Sequence, residues 1–408
     1  MRAYLRTFGC RANQYDTEAA RAMIEAAGGV IVDSPELADV ALFNSCAVTA
    51  AAEADLRQEV RRAAKRNARI RSVVLGCASA RDDGTIAALP GVSDVIAGAD
   101  LPALAMALGM DPSLARERPA VQTGSRALLR IQDGCDEHCT FCSTTLARGA
   151  HRSRPADDLV REAGALADAH PEIVITGIHI GSYGAEHGTS LGELLDRLVR
   201  EVPGVRFRLT SVEATEVDSL LGELFASDPA RVAPHLHAPL QSGSDRVLKR
   251  MGRNWYSAAG YANAAERMAA RCDVFALGAD VIAGFPGETD EDHEATLSLV
   301  RALPFTYLHV FPYSERPGTA AVRMGAQVPA IVARERAAEL RALGEEKALA
   351  HRVSRAGGHA DVVVVGDGHR REGLTEDYLS VRLADASVPR RSRLAMRLTL
   401  SDGELTAS

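Results

Sequence analysis

The sequence predicts an α/β protein in three parts: an N-terminal parallel α/β domain (1–118), a six-unit β/α barrel segment (119–355) and a small C-terminal β segment (356–408). Two observations predict the first two parts. Short apolar β-type runs alternate with helical patterns through both, and strands separated by helices pair in parallel. The third part is predicted by β-type runs without helices, after the glycine-containing linker Arg355 to His359. A length of 408 residues calls for more than one domain. A hydrophobic content of 46% and a charged content of 25% are those of a soluble globular protein. The N-terminus, MRAYLRTFGC, lacks a signal-peptide core, and no apolar run approaches the ~20 residues that span a bilayer. A cytoplasmic protein is therefore expected, its seven cysteines reduced unless they bind metal. The net charge of −7 excludes a global basic signal for nucleic acid, so RNA contact would come from local patches.

In the first segment three cysteines share one context. Cys10 follows the strand-like Tyr4–Phe8, Cys46 follows Val40–Phe43, and Cys77 follows Val73–Leu75. Helical patterns lie between them, Thr17–Ala27, ended by Gly28-Gly29, and Ala52–Asn67. The right-handed crossover rule puts all three strand ends on one sheet edge. That makes a three-thiolate ligand set from residues far apart in the chain; the alternative is three small hydrophobes packed in a core. Arg61, Arg62, Lys65, Arg66, Arg69 and Arg71 form a basic run, read either as a solvated helix face or as phosphate contacts.

The second segment contains six strand-like runs, Leu128–Ile131, Ile173–Gly177, Val205–Thr210, Leu236–Leu240, Leu277–Ala283 and Tyr307–Pro312. Helical patterns such as Ala156–Ala169, Leu191–Glu201 and Asp290–Leu303 separate them. The loop after the first run carries Cys135, Cys139 and Cys142 in a C-x3-C-x2-C array. Three thiolates cannot satisfy a metal that wants four protein ligands, but they can hold three irons of a [4Fe–4S] cluster and leave the fourth open. A zinc ribbon would show two C-x2-C pairs, and a disulfide framework needs an oxidising compartment. Phe141 is placed to shield such a cluster or to stack on a flat ligand. Sites are expected at the carboxyl ends of the strands, where Gly177, Ser211, Glu213, Gln241, Ser242 and Gly284 supply glycine and polar groups. Arg148 can pair with a carboxylate or phosphate of a ligand, or serve as a structural ion pair. Cys272 reads as packing, and His235 and His237 as barrel-wall residues.

In the C-terminal segment the β-type runs are Ala360–Val365, Tyr378–Leu383 and Leu394–Leu400. Arg390, Arg391, Arg393 and Arg397 make it locally basic, which suits RNA binding by charge and stacking; a solubilising cap is the alternative.

The C-x3-C-x2-C array resembles the signature of the radical S-adenosylmethionine (SAM) enzymes, and Ala147-Arg148-Gly149 resembles the segment that follows it there. Residues 9–18 (GCRANQYDTE), 44–49 (NSCAVT) and Gly76-Cys77 resemble the N-terminal domain of the methylthiotransferases. Gly373 to Tyr378 resembles the TRAM domain, a small β-barrel of RNA-modifying enzymes. The resemblance implies a partial (β/α)6 barrel, with SAM bound by the strand-end loops. It also implies two [4Fe–4S] clusters. One, on Cys135, Cys139 and Cys142, would cleave SAM to a 5′-deoxyadenosyl radical. The second, on Cys10, Cys46 and Cys77 with Asn13 nearby, would carry the sulfur to be inserted. Asn13 reads otherwise as a helix N-terminal or turn residue. The chain departs from the family at Ala78-Ser79-Ala80 and at Ser143 to Leu146. The implied partners are tRNA and an electron donor such as flavodoxin or ferredoxin, with a monomer and no membrane. Asn13 to Glu18, Leu308 to Ser314 and Glu372 to Tyr378 resemble the branch acting on threonylcarbamoyl-adenosine at tRNA position 37. The alternatives are the branches acting on a ribosomal-protein aspartate or on isopentenyl-adenosine, or a non-catalytic iron–sulfur RNA-binding module.

Overall fold

The computed structural model describes residues 1–47, 50–366, 372–385 and 387–408, so Val48 and Thr49 of the 44–49 segment lie outside the described residues. The chain forms two compact units: residues 1–123 with 132–137 and 142–152, and residues 124–131 and 138–141 with 153–408.

The first unit is built on β1 (Arg2–Thr7), α1 (Arg11–Ala26), β2 (Val30–Val32), β3 (Val40–Ser45), α2 (Ala50–Arg66), β4 (Arg71–Gly76), β5 (Val92–Val95) and α3 (Leu101–Ala107). Its strands pair in parallel in the order β2-β1-β3-β4-β5. One hydrophobic cluster packs Met23, Ile24, Leu42, Val73 and Leu104; a second packs Phe43, Leu56, Val60 and Val74. Helix α1 starts at Arg11 rather than at Thr17, with Cys10 at its N-cap. The sequence pattern starts late because the first turns bury Asn13, Tyr15 and Asp16, and polar residues on an inward face hide the apolar period. After residue 123 come β6 (Ala127–Arg130), β7 (Gln132–Asp133), α4 (Thr144–Arg148) and β8 (Arg152–Ser153).

In the second unit β6, β9 (Glu172–Thr176), β10 (Arg206–Leu209), β11 (His235–His237), β12 (Ala276–Ala283) and β13 (Tyr307–Pro312) correspond to the six expected runs. They pair as β10-β9-β6 and β11-β12-β13, all parallel, and single bridges Phe207–Val232 and Ser211–His237 join the two sets. Helices α5 (Ala156–Ala167), α6 (Leu191–Glu201), α7 (Ser219–Ser227), α8 (Asp245–Arg250), α9 (Ala258–Ala269), α10 (Asp290–Ala302) and α11 (Ala330–Arg355) follow the strands. A large core packs Leu129, Ile175, Phe207, Leu236, Val281 and Val310 against the helices. Helix α11, 26 residues long, is absent from the sequence expectation because its buried stripe is Ala333, Arg336, Ala337, Leu340 and Gly344, too small and polar to read as a core face.

The chain ends in a closed five-stranded barrel of β14 (His359–Val364), β15 (Glu372–Leu374), β16 (Ser380–Leu383), β18 (Glu404–Ala407) and β17 (Arg393–Ser401), in that order. Strands β15 and β18 are too short to show a period in the sequence. Within this unit a buried ion network holds the barrel. Glu172 accepts from Arg206 Nε at 2.7 Å and Arg208 Nε at 2.8 Å, and Arg126 lies at 3.2 Å. The same guanidinium groups donate to the backbone carbonyls of Asp361, Glu376 and Thr375 at 2.9–3.0 Å. Tyr378, at a φ of +69°, stacks on His235 with ring centroids 4.3 Å apart. His351 and Arg355 close on Asp377, both at 2.9 Å.

The arginines of the basic C-terminal segment also make contacts within the unit. Arg390 donates to Ser125, Arg391 to the Gly124 carbonyl, and Arg393 to Asp361 and the Ala230 carbonyl. Three of the four arginines brace the barrel because they face neighbouring backbone and carboxylate oxygens; Arg397 is exposed. The basic run on α2 is also partly engaged, Arg66 with Glu36, Arg62 with Glu59 and Arg71 with Asp94, whereas Arg61, Lys65 and Arg69 are exposed. Among the described residues, no helix is long and apolar enough to cross a membrane.

Candidate functional site

The parallel strands of the first unit deliver Cys10, Cys46 and Cys77 to the same sheet edge. Two glycines make the approach possible. Gly9 and Gly76, each directly before a cysteine, have φ of +93° and +102°, conformations that side chains rarely adopt. A Cβ on Gly9 would meet Cys46 Sγ at 2.5 Å, and one on Gly76 would strike the Ser45 carbonyl. Asn13 organises the edge. Its Nδ2 donates to the carbonyls of Phe8 at 3.0 Å and Ser45 at 2.7 Å. Its Oδ1 lies 3.9 Å from Cys10 Sγ and 3.8 Å from Cys77 Sγ. It is thus more than a turn residue.

Arg148, on α4, belongs to this edge rather than to the strand-end loops. Its side chain is 1% exposed. It donates to Cys77 Sγ at 3.3 Å, Asn13 Oδ1 at 2.6 Å, Asp16 at 2.8 Å and Asp133 at 3.1 Å. Burial works against its charge, and Asp16, Cys77 and Asp133 outweigh that, so its pKa is raised further. Burial likewise pushes the Cys77 thiol up to about 11; Arg148 pulls it down, and Cys10 and Cys46 push it up again. Asn13 Oδ1 touches both Cys10 and Cys77, and Gly9 abuts Cys46 Sγ, so the three sulfurs gather at one place. Three thiols converging on one sheet edge have the donor chemistry for three irons of a cubane cluster with one iron open. The sequence marks Asp16 only as part of the 9–18 segment and Asp133 not at all, because a lone acidic residue on the two-residue β7 carries no pattern.

Of the loop cysteines, Cys135 donates its N–H to the Gly149 carbonyl at 3.1 Å, and Cys142 Sγ lies 3.1 Å from Thr144 Oγ1, both within the first unit. Within the second unit, Cys139 Sγ lies 3.5 Å from Arg253 Nη1. Arg253 pairs with the buried Glu213 and lies over the rings of Trp255 and Tyr256 at 4.9 and 5.1 Å. Trp255 Nε1 also donates to Glu213, at 2.5 Å. Burial raises the pKa of Glu213 against the pull of Arg253. Arg253, Trp255 and Tyr256 are absent from the sequence reading; the chain's single tryptophan, beside an arginine in a short loop, is the signal that could have found them.

The strand-end residues divide. Ser211 is exposed and Gly177 half-buried, both open to a ligand. Gln241, at a φ of +64°, is held by backbone bonds to Asp280 and Ile282. Ser242 is buried against Thr296 and accepts from the Ser244 N–H. Gly284 is required by packing, since a Cβ there would strike Ala333 of α11. Phe141 packs edge-on against Phe285 at 6.3 Å. Ser242, Gly284 and the carboxylate of Glu213 each also have a partner in the frame of the loops. Cys272 contacts the Phe225 carbonyl at 3.6 Å, as expected for packing.

Comparison with known proteins gives the same outline. Residues 2–98 match an uncharacterized protein family, UPF0004, and residues 129–300 match the radical SAM superfamily. The chain is 37% identical over 366 residues to the threonylcarbamoyladenosine tRNA methylthiotransferase MtaB of Bacillus subtilis, covering 84% of this chain and 80% of that protein. It is 32% identical to the tRNA-2-methylthio-N(6)-dimethylallyladenosine synthase of Acidithiobacillus ferrooxidans, covering 90% and 87%. Among solved structures, the radical SAM methyltransferase TsrM of Kitasatospora setae shares the fold with a TM-score of 0.57 at 14% identity, covering 76% and 72%. With two thiol sets, a radical SAM core and relatives of this identity over most of its length, the chain belongs to the radical SAM methylthiotransferase family of enzymes.

Proposed function

We propose that this enzyme converts N6-threonylcarbamoyladenosine at position 37 of tRNA to its 2-methylthio derivative. The observation that carries the reading is the convergence of Cys10, Cys46 and Cys77 around Asn13, with Arg148 against Cys77. The B. subtilis relative at 37% identity supports the threonylcarbamoyl branch.

Cys135, Cys139 and Cys142 would hold the SAM-binding [4Fe–4S] cluster, and Cys10, Cys46 and Cys77 a second one. Bound, these groups with SAM supply the radical and the sulfur that side chains cannot. The chain's own groups set the stage. Gly9 and Gly76 let the backbone close on the thiols, and Asn13 fixes the distance between strand ends. Arg148 offsets thiolate charge in a buried site. Arg253 does the same at Cys139, stiffened by Glu213, Trp255 and Tyr256. Ser211, Gly177 and the Gln241 backbone form the open part of the strand-end loops for SAM. The functional division is 1–118 for sulfur delivery, 119–355 for the radical SAM core and 356–408 for the TRAM-like barrel. The enzyme would act as a cytoplasmic monomer, with electrons from flavodoxin or ferredoxin.

Mass spectrometry of tRNA nucleosides from a deletion strain tests the substrate. The methylthio nucleoside should vanish and threonylcarbamoyladenosine accumulate; an unchanged methylthio nucleoside defeats the reading. Iron analysis tests the two clusters. Anaerobically purified protein should hold about eight irons per chain and Cys46→Ala about four. The variant should still release 5′-deoxyadenosine from SAM.

A further inference from the structure

We propose that His237, Asp280 and His309 form a divalent-metal site on the face of the β11-β12-β13 sheet that points away from the hydrophobic core. The three residues come from β11, β12 and β13. Asp280 and His309 are direct cross-strand partners, and His237 pairs with Gly278, two residues from Asp280. Strand alternation sends Leu236, Leu277, Ala279, Val281 and Val310 into the core and the two histidines and the aspartate to the other face.

The donor geometry fits one ion. His237 Nε2 lies 3.1 Å and His309 Nδ1 3.3 Å from the same oxygen, Asp280 Oδ1. All three ligand atoms lie within 4.8 Å of one another. Ligands about 2.0–2.2 Å from a zinc-class ion stand roughly 2.9–3.5 Å apart in tetrahedral or octahedral arrangements. The outer contacts are those that orient a ligating imidazole. His237 Nδ1 lies 3.0 Å from the Tyr307 hydroxyl, which is also 2.8 Å from His235 Nε2. With the Nδ1 proton on that hydroxyl, the Nε2 lone pair faces Asp280. In that tautomer a lone pair and a carboxylate face each other, and a cation between them satisfies both.

Charge and access agree. Two neutral imidazoles and one carboxylate suit a divalent ion such as Zn2+, Mn2+ or Fe2+ rather than a soft one. The side chains are 10%, 28% and 54% exposed for His237, Asp280 and His309, so an ion can enter from the His309 side. Three protein ligands leave a position for water or for a carboxylate or hydroxyl oxygen of a bound molecule. The competing occupant is a proton on His237 Nε2, which would give the same contacts as a plain hydrogen-bonded trio.

Calorimetric titration of Zn2+ into the anaerobically reconstituted full chain decides between them, with iron content checked before and after. Wild type should take up one more equivalent than His309→Ala or Asp280→Asn, and binding in each variant should weaken at least about tenfold. Zinc taken up at stray thiols persists in all three proteins and cancels. His309 is half-exposed, so its alanine variant keeps the fold, as circular dichroism should verify. Mn2+ bound by wild type and not by His309→Ala, read by electron paramagnetic resonance, is the expected second result. Equal zinc uptake in wild type and His309→Ala, or no uptake in wild type, overturns the metal site in favour of the proton.

Discussion

Arg148 in the first unit and the pair Arg206 and Arg208 in the second are all buried guanidinium groups, yet their partners send them to different ends. In the second unit three arginines meet Glu172, and Arg206 also lies 3.3 Å from the Asp361 carboxylate. The surplus positive charge runs onto the backbone carbonyls of Asp361, Thr375 and Glu376, so the network is a fastener for the barrel. In the first unit one arginine meets two carboxylates, Asp16 and Asp133, and its remaining donors reach Asn13 and a sulfur. Arg152 also lies 3.8 Å from Asp133, so carboxylates and guanidinium groups balance there, beside a Cys77 thiol that burial pushes up. That site keeps a guanidinium donor on a sulfur, whereas the Glu172 network spends its donors on carboxylate and backbone oxygens.

Substitutions can break this contrast. Glu172→Ala strands two buried guanidinium groups and should destabilise the second unit most, by about 3–5 kcal/mol in chemical denaturation. An unchanged midpoint would mean that the carbonyls alone suffice. Arg148→Gln should cost about 3 kcal/mol in the first unit by leaving Asp16 buried without its cation. In reconstituted protein it should also shift the reduction potential of the cluster on Cys10, Cys46 and Cys77 to more negative values, with Arg148→Lys partly restoring it. A loss of stability with no change in potential would make Arg148 a fastener too.

The pH dependence of the reduced, metal-free protein sharpens the same point. The Cys77 pKa is raised by burial from 9.0 to about 11. The folded state therefore holds that proton more tightly than the unfolded state. Stability from this source is complete below pH 9 and is lost as pH climbs to about 11, on the order of 2–3 kcal/mol. Denaturation of wild type beside Cys77→Ser checks it, since the serine variant should lack this decline.

The smallest effects concern the barrel arginines. Arg397→Ala should lower the salt dependence of tRNA binding by a slope of about 1. Arg390→Ala should leave that slope unchanged and cost about 1 kcal/mol of stability, because its hydrogen bond goes to Ser125.

Legibility in the sequence followed range. The three strand–cysteine junctions of the first segment could be read because each is local: an apolar run, a glycine or polar residue, a thiol. The six strands of the second segment were legible for the same reason. Helix α11 was not, since its buried face is made of alanine, glycine and an arginine that pairs with Glu288 at 2.7 Å. Arg390, Arg391 and Arg393 read as an RNA patch because charge in a sequence carries no direction. In the folded unit the three side chains also bond neighbouring oxygens.

By itself, the sequence determined the order and type of the main strands, the C-x3-C-x2-C spacing and the three thiols placed after parallel strands, because period and spacing are properties of neighbours in the chain. Only the tertiary structure decided that Arg148 ends on Cys77, that Arg253 ends on Cys139, and that His237, Asp280 and His309 meet across three strands. Those partners lie tens of residues apart, and their pairing depends on register and on buried charge finding its opposite, which no local pattern records.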